Sequence, residues 1–553
     1  MGNHGRMTGP RPAPPAPRST AEPSADSPSV PLALVPAVDR RLVDALRADL
    51  GGSDFTVDGI ESALGPVAAA ALHREQTLPA LRVTEGSLDG RAVLTRLFVL
   101  GVEVTAGALD AALPALGVDG AVRLGLVERA GQGAHDGVRA RVDLRPYAAV
   151  DAAGPVNWWL ASDLGETMTG HRLAADHVLG AGGASTTLAQ VTVRTPRDRV
   201  LDLGTGCGVQ ALHASRHARE VVGTDISARA LRFAELNAAL DGVSLDLRLG
   251  SMLEPVAGET FDLVVSNPPF VITPRRVEGA GEGATGIPTY EYRDGGRAGD
   301  DLVRDLVTSV GQVLAPGGVA QLLGNWEHRR GEAWTERVGE WLDASGLDGW
   351  VIQREVQDPA EYAELWIRDG GTTPEREPGA WAQAYSAWLD DFASRGVEGI
   401  GFGFITLRRP LDGARPTLRR LEEHSGALEQ PLGTFVARSL AAHDWLAVRS
   451  DSALADERLV VAGDVSEERF YTPGASDPSV VIVRQGGGTG RAIHASTSLA
   501  ALVGACDGEL TVGQIVGAIA SIFEVAVAEL SAELLPAVRG LVRDGFLEVA
   551  AAP

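Results

Sequence analysis

The stretch "VLDLGTGCG" at residues 200–208 decides how this chain is read. A short apolar run is broken by Gly204, Gly206 and Gly208, and the helix-patterned "VQALHASRHA" follows. Glycine lets a backbone turn sharply and approach a ligand without a Cβ clash. The start of the next helix offers N–H groups that have no intrahelical partner. The spacing is G-x-G-x-G and departs from the dinucleotide fingerprint G-x-G-x-x-G. The next strand, "EVVGTD", ends on Asp225, about twenty residues on, where an acid can accept both hydroxyls of a ribose. A plain packing turn with a capping aspartate is the alternative, and the two features together favour a nucleoside site.

Outward from this stretch, strands and helices alternate. "ARALRFAELNAAL" reads as a helix, "LDLRLG" and "FDLVVS" as strands, "LVRDLVTSVGQVL" as a helix and "VAQLLGNW" as a strand. This is the pattern of a parallel sheet covered on both faces. The expected fold is therefore α/β, with a Rossmann-like doubly wound domain over residues 161–410. "WVIQREV" and "GIGFGFITLRR" are expected to form its antiparallel edge, with an inserted amphipathic helix in "PGAWAQAYSAWLDDFASRG". Residues 33–160 and 411–553 read as N- and C-terminal accessory modules. Each has helices followed by a hairpin-like segment, so both are expected to be winged-helix-like, with a plain packing domain an equal alternative for the first. In the second module Ile515, Ile519 and Ile522 are expected to share one helix face. Residues 1–32, rich in Pro, Ser and Ala, are expected to be a disordered tail.

Composition limits the function classes. The chain has 553 residues, too many for one core. It has no run of eighteen or more apolar residues, so no membrane span or membrane partner is expected. Two cysteines, Cys207 and Cys506, leave no disulfide framework and suit a reducing cytoplasm. The net charge of −24 opposes broad binding to phosphate backbones, although one local basic groove remains compatible with it.

In order and spacing, "VLDLGTGCG…VVGTDIS…ALRFAELNA…LRLGSMLEP…FDLVVSNPPF" resembles the class I S-adenosylmethionine-dependent methyltransferases. The tetrapeptide "NPPF" (267–270) narrows the resemblance to the branch that methylates nitrogens attached to planar groups, and to its HemK/PrmC-like "methyltransferase small domain" group. The resemblance covers roughly residues 165–330. It implies S-adenosyl-L-methionine as cofactor. Asp202, Gly204, Thr205, Gly206 and Gly208 would surround its methionine end, Asp225 would hold the ribose, and Ile226 would pack on adenine. Ser251 and Met252 would lie beside the adenine ring; the family often has an acid where Ser251 stands. "DHVLGAGGASTTLAQ" takes the place of the segment that closes over the cofactor, without the glutamine group's Pro-Arg-Pro-Glu-Thr run.

The resemblance also assigns the catalytic loop to Asn267, Pro268, Pro269 and Phe270. Two prolines end the strand because they cannot donate to a ladder. A planar amide is a poor nucleophile because its lone pair is delocalised. The Asn267 side-chain oxygen can accept one of its N–H groups and the Pro268 carbonyl another. Phe270 can stack on the planar acceptor. Positioning then counts for more than a strong base. The expected function is N-methylation of a protein glutamine. An RNA or DNA base amine, a small-molecule amine, and a scaffold that binds the cofactor without turnover are the alternatives. The oligomeric state is left open.

Other residues weighed are His213 and His217, whose i, i+4 spacing is expected to lie on a solvated helix face rather than hold a metal. Trp158 and Trp159 are expected at a domain junction. Tyr290, Tyr292, Arg293, Arg275 and Arg276 follow the catalytic loop and are candidates for substrate contact. Cys207 is expected to be a small buried side chain.

Overall fold

The computed structural model describes residue 36 and residues 38–170, 172–275, 290–411 and 414–550. The expected tail (1–32) and Arg276 lie outside the described residues. The centre of the molecule is an eight-stranded sheet. Its strands are β1 (Arg197–Leu203), β2 (Ala218–Asp225), β3 (Asp246–Leu249), β4 (Phe261–Ser266), β5 (Leu314–Arg329), β6 (Asp348–Gln357), β7 (Val397–Arg408) and β8 (Arg419–Glu423). They lie side by side in the order β8-β6-β7-β5-β4-β1-β2-β3. The strands from β5 to β3 are parallel, and β7 is antiparallel to both β5 and β6.

Continuous apolar runs such as "FDLVVS" suit strands covered on both faces. Alternate residues divide between two cores. Leu201, Leu203 and Val264 face one side, while Val200, Leu263 and Val265 face the other. The helices Val209–Ser215, Ala228–Leu240 and Asp301–Ser309 connect successive parallel strands, giving the doubly wound Rossmann-like arrangement.

Three details differ from the sequence reading. β6 and β7 are antiparallel as expected, but the edge belongs to β8, which pairs parallel with β6. The sheet therefore runs past residue 410. At the other border, Asp143–Asp151 pairs with Gly154–Ser162, so residue 160 falls inside a hairpin. Ile515 and Ile519 are buried, whereas Ile522 is 74% exposed, because the helix Val512–Phe523 ends there and its last turn leaves the core.

The flanking regions combine helices with three-stranded sheets, one in the first region and two in the second. In the first, Val104–Thr105, Gly137–Ala140 and Val127–Arg129 follow the helices Arg40–Gly52 and Val57–Leu72. In the second, Arg458–Val461 lies between Asp507–Thr511 and Leu547–Val549. The first region is fused to the central sheet's helices. Leu144, Leu160 and Phe55 share one apolar core with Cys207, Leu212, Phe233 and Leu236. Asn237 fixes the contact: its Oδ1 accepts from Ala161 N at 2.7 Å and its Nδ2 donates to the carbonyls of Ala161 and Cys207. Among the described residues no helix is long and apolar enough to cross a membrane.

Candidate functional site

The register puts both motifs at one edge. Leu203 of β1 pairs with Thr224 of β2 on one side and Ser266 of β4 on the other. Neighbouring strands lie about 4.8 Å apart. The glycine loop, Asp225 and Asn267 therefore emerge together at the carboxyl edge, where open α/β sheets take ligands. Ser266 Oγ donates to Leu203 O at 2.7 Å and ties the two loop origins together.

The glycine loop is held from beneath. Gly204 N and Thr205 N both donate to Thr224 O at 2.9 Å. The buried Asp202 Oδ2 accepts from Thr205 Oγ1 at 2.6 Å and from Ala211 N at 2.9 Å. Burial pushes the Asp202 carboxyl up to about 7 against those two hydrogen bonds. Asp202 and Thr205 thus shape the turn from inside the protein. Gly204 and Gly206 have φ of 74° and 55°, and a Cβ at either would meet nothing within 4 Å. Gly208 differs: a Cβ there would lie 3.1 Å from Ala234, so this glycine serves helix packing.

Asp225 Oδ2 accepts from Gly206 N at 2.9 Å and Oδ1 from Ser227 N at 2.8 Å. Burial raises its pKa, opposed by these backbone donors. Each carboxylate oxygen keeps lone pairs for a further donor. Beside it Ile226 is 63% exposed, an apolar side chain with no internal cover. Gly250 N donates to Asp225 O, which brings Ser251 and Met252 next to Asp225. Met252 has φ of 47° and packs partly into the core.

At the neighbouring strand end, the buried Asn267 Oδ1 has no hydrogen-bond partner among the described residues. Buried polar atoms are nearly always bonded, so this oxygen, held at the strand tip, has unused acceptor capacity among the described residues. Phe270 bridges to Asp294 and lies 5.4 Å from the Phe402 ring. An open glycine cradle, an acid at the next strand end and an exposed apolar side chain fit a nucleoside-bearing cofactor such as S-adenosylmethionine.

The remaining candidates sort as follows. His213 is fully buried, contrary to the solvated face expected of it. Its Nδ1 lies 2.7 Å from Asp151 Oδ2 and its Nε2 3.0 Å from Tyr147 Oη. The hairpin Asp143–Ser162 covers this helix and removes the water. His217 is half-buried with both ring nitrogens out of solvent. Trp158 stacks on Tyr147, and Trp159 Nε1 donates to Phe55 O at 2.6 Å, placing both tryptophans at the junction. Cys207 is buried, and burial pushes its thiol up to about 11. Tyr290 Oη donates to Gly370 O, and Arg275 Nη2 pairs with Asp294. Arg293 is buried against Asp369, and Tyr292 Oη donates to the same carboxylate. All four are occupied within the protein. Sequence reasoning missed Asp163, which pairs with Arg229 and accepts from Val178 N at 2.9 Å. That contact seats the segment before the glycine loop, and partners 66 residues apart leave no local signal.

Comparison with known proteins agrees with this geometry. Residues 181–280 match the family described as "methyltransferase small domain". Residues 52–141 and 437–549 match two families described as domains of unknown function. A release factor glutamine methyltransferase of Deinococcus radiodurans is 39% identical over 136 residues, 23% of this chain and 46% of that protein. A ribosomal protein uL3 glutamine methyltransferase of Bradyrhizobium diazoefficiens is 32% identical over 170 residues, 29% of this chain and 50% of that protein. The chain spans about half the length of the curated relatives it matches. The glycine cradle, Asp225 and the Asn267 turn all fall inside the segment that matches the methyltransferase small domain.

Proposed function

We propose that this chain methylates the side-chain amide nitrogen of a protein glutamine, with S-adenosylmethionine as donor. The observation that carries the reading is the buried Asn267 Oδ1, unpartnered among the described residues, beside the open Gly204–Gly206 loop. The names of the relatives support glutamine as acceptor. The net charge of −24 speaks against a phosphate-backbone partner.

Each residue has a part in the reading. Gly204 and Gly206 leave room for the cofactor at the strand tip, and Asp225 accepts from its ribose. Ile226 covers one face of the adenine, with Ser251 and Met252 at its side. The cofactor supplies, when bound, an electrophilic methyl group on a sulfonium. Asn267 Oδ1 accepts one N–H of the acceptor amide and the Pro268 carbonyl the other. Two acceptors on one side of the nitrogen turn its lone pair toward the glycine loop and favour a localised, pyramidal form. Phe270 flanks the amide plane. The nitrogen becomes acidic once it has attacked, so its proton leaves to solvent without a dedicated base. Pro268 and Pro269 limit loop motion, so the acceptor amide meets a fixed geometry. The two flanking modules serve in this reading to recognise the substrate.

The test is labelled-methyl transfer from S-adenosylmethionine into an extract of cells lacking the protein. The extract is then split between protease and nuclease. Label lost to protease, and found on glutamine by mass spectrometry, is the expected result. Label lost only to nuclease overturns the glutamine acceptor.

A further inference from the structure

The stretch after the Asn-Pro-Pro-Phe turn is held by groups distant in sequence. Val271 N donates to Arg293 O at 3.0 Å, and Ile272 N donates to Tyr362 Oη at 3.1 Å. Arg293 is itself set by the helix that carries Tyr362. Its Nη1 donates to Trp366 O at 2.9 Å and to Asp369 Oδ2 at 2.7 Å. Both attachments therefore trace back to one helix, Pro359–Asp369, inserted between β6 and β7 and outside residues 181–280.

Tyr362 is buried, and its hydroxyl also receives Asn325 Nδ2 at 2.6 Å. Asn325 sits on β5 just beyond the level at which β4 ends, since Leu322 of β5 pairs with Ser266. The Tyr362 ring packs among Trp366, Trp388 and Phe392 at 5.8–6.0 Å between centroids. Phenylalanine would fill that space equally well, and a buried hydroxyl is costly unless bonded. Here the hydroxyl collects two donors, and one of them is the backbone of the acceptor loop.

We propose that Tyr362 is a positioning residue for methyl transfer. Its hydroxyl pins Ile272 while Ser266 Oγ pins the start of the turn on Leu203 O. Between these anchors lie only five residues, two of them proline. Clamping both ends fixes the direction in which Asn267 Oδ1 and the Pro268 carbonyl meet the acceptor nitrogen. Tyr362 acts through the loop and needs no contact with the substrate. The inference rests on the role given to Asn267 above.

The test is Tyr362→Phe in the full chain, with two readouts. Backbone amide exchange is followed over residues 267–275 and over β4. Steady-state rates give kcat and the KM for S-adenosylmethionine. Exchange over 267–275 is expected to quicken at least about tenfold with β4 unchanged. kcat is expected to fall about 10- to 100-fold, with that KM changed less than about twofold, as for a misplaced catalytic loop. Unchanged exchange overturns the proposal, and so does faster exchange with unchanged kcat. The exchange readout needs no turnover. If wild type methylates no glutamine yet Tyr362→Phe still loosens the loop, the acceptor assignment fails and the pin stands. If Tyr362→Phe does not fold, Asp369→Asn, which weakens the Arg293 attachment at the surface, takes its place. A smaller loss of kcat in the same sense is then expected, and none overturns the proposal.

Discussion

Asn267→Ala separates catalysis from stability in a way that an ordinary buried asparagine cannot. Removing one partner of a buried hydrogen bond typically costs about 1–3 kcal/mol, because the other partner is left dry and unpaired. Asn267 Oδ1 has no partner among the described residues, so its removal strands nothing there. The folded state is even relieved of a desolvated oxygen. The expected change in stability is within about 1 kcal/mol, or about 2–4 °C in Tm for a domain of this size. In the proposed mechanism the same oxygen accepts an N–H of the acceptor amide in the transition state. Loss of one such preorganised polar group costs about 100- to 1,000-fold in kcat, about 2.7–4 kcal/mol. The glycine loop and Asp225 are untouched, so cofactor affinity is expected to stay within about twofold. The assay pairs initial rates on a glutamine-bearing protein substrate at saturating S-adenosylmethionine with calorimetric titration of the cofactor and a thermal melt. An unchanged kcat refutes the role of Asn267. So does a rate loss that only follows a large fall in Tm.

Other outcomes follow from the same structure. Gly204→Ala places a methyl group in the open cradle at φ of 74°, so cofactor Kd is expected to rise at least about tenfold by calorimetry, with about 1 kcal/mol lost to strain. Asp151→Ala removes the carboxylate that faces His213, Arg216 and the buried Arg194; urea titration is expected to show a loss of about 3–5 kcal/mol. His217 is pushed down to about 4 by burial, with Arg194 adding to the effect. Its native ring stays neutral while the unfolded ring takes a proton near the usual 6.5, so stability falls as pH drops from about 6.5 to about 4. His217→Gln is expected to flatten that acid limb in melts across the range.

The parallel half of the sheet was legible because each strand is a local apolar run closed by a turn, and the register then follows from side-chain alternation. The places of the glycine loop and "NPPF" at strand ends were legible because each signal lies in adjacent residues. Strand β8 was not: "RRLEE" has no apolar alternation, and it is a strand only because β6 offers it an edge. The helix Pro359–Asp369 was overlooked although its signals are present. Asp358 caps it by accepting from Ala360 N and Glu361 N, and proline opens its first turn. The burial of His213 was hidden because it depends on a hairpin more than fifty residues upstream. Tyr362 escaped notice for the same reason: its partner Ile272 is 90 residues away.

The shared core between the first module and the helices of the catalytic sheet has a mechanical consequence. Modules joined by a linker swing, and their ligands reach an active site by diffusion within the tether's range. Here Phe55, Leu144 and Leu160 are packed with Phe233 and Leu236, so no hinge separates the module from the helix that follows Asp225. Whatever that module grips is presented along one bearing and at one distance, as on a jig. In the proposed reading, where the module recognises the substrate, the target is selected by where the modified side chain stands relative to a remote handle. Lengthening a substrate between handle and acceptor by a few residues would then abolish modification even with both ends intact.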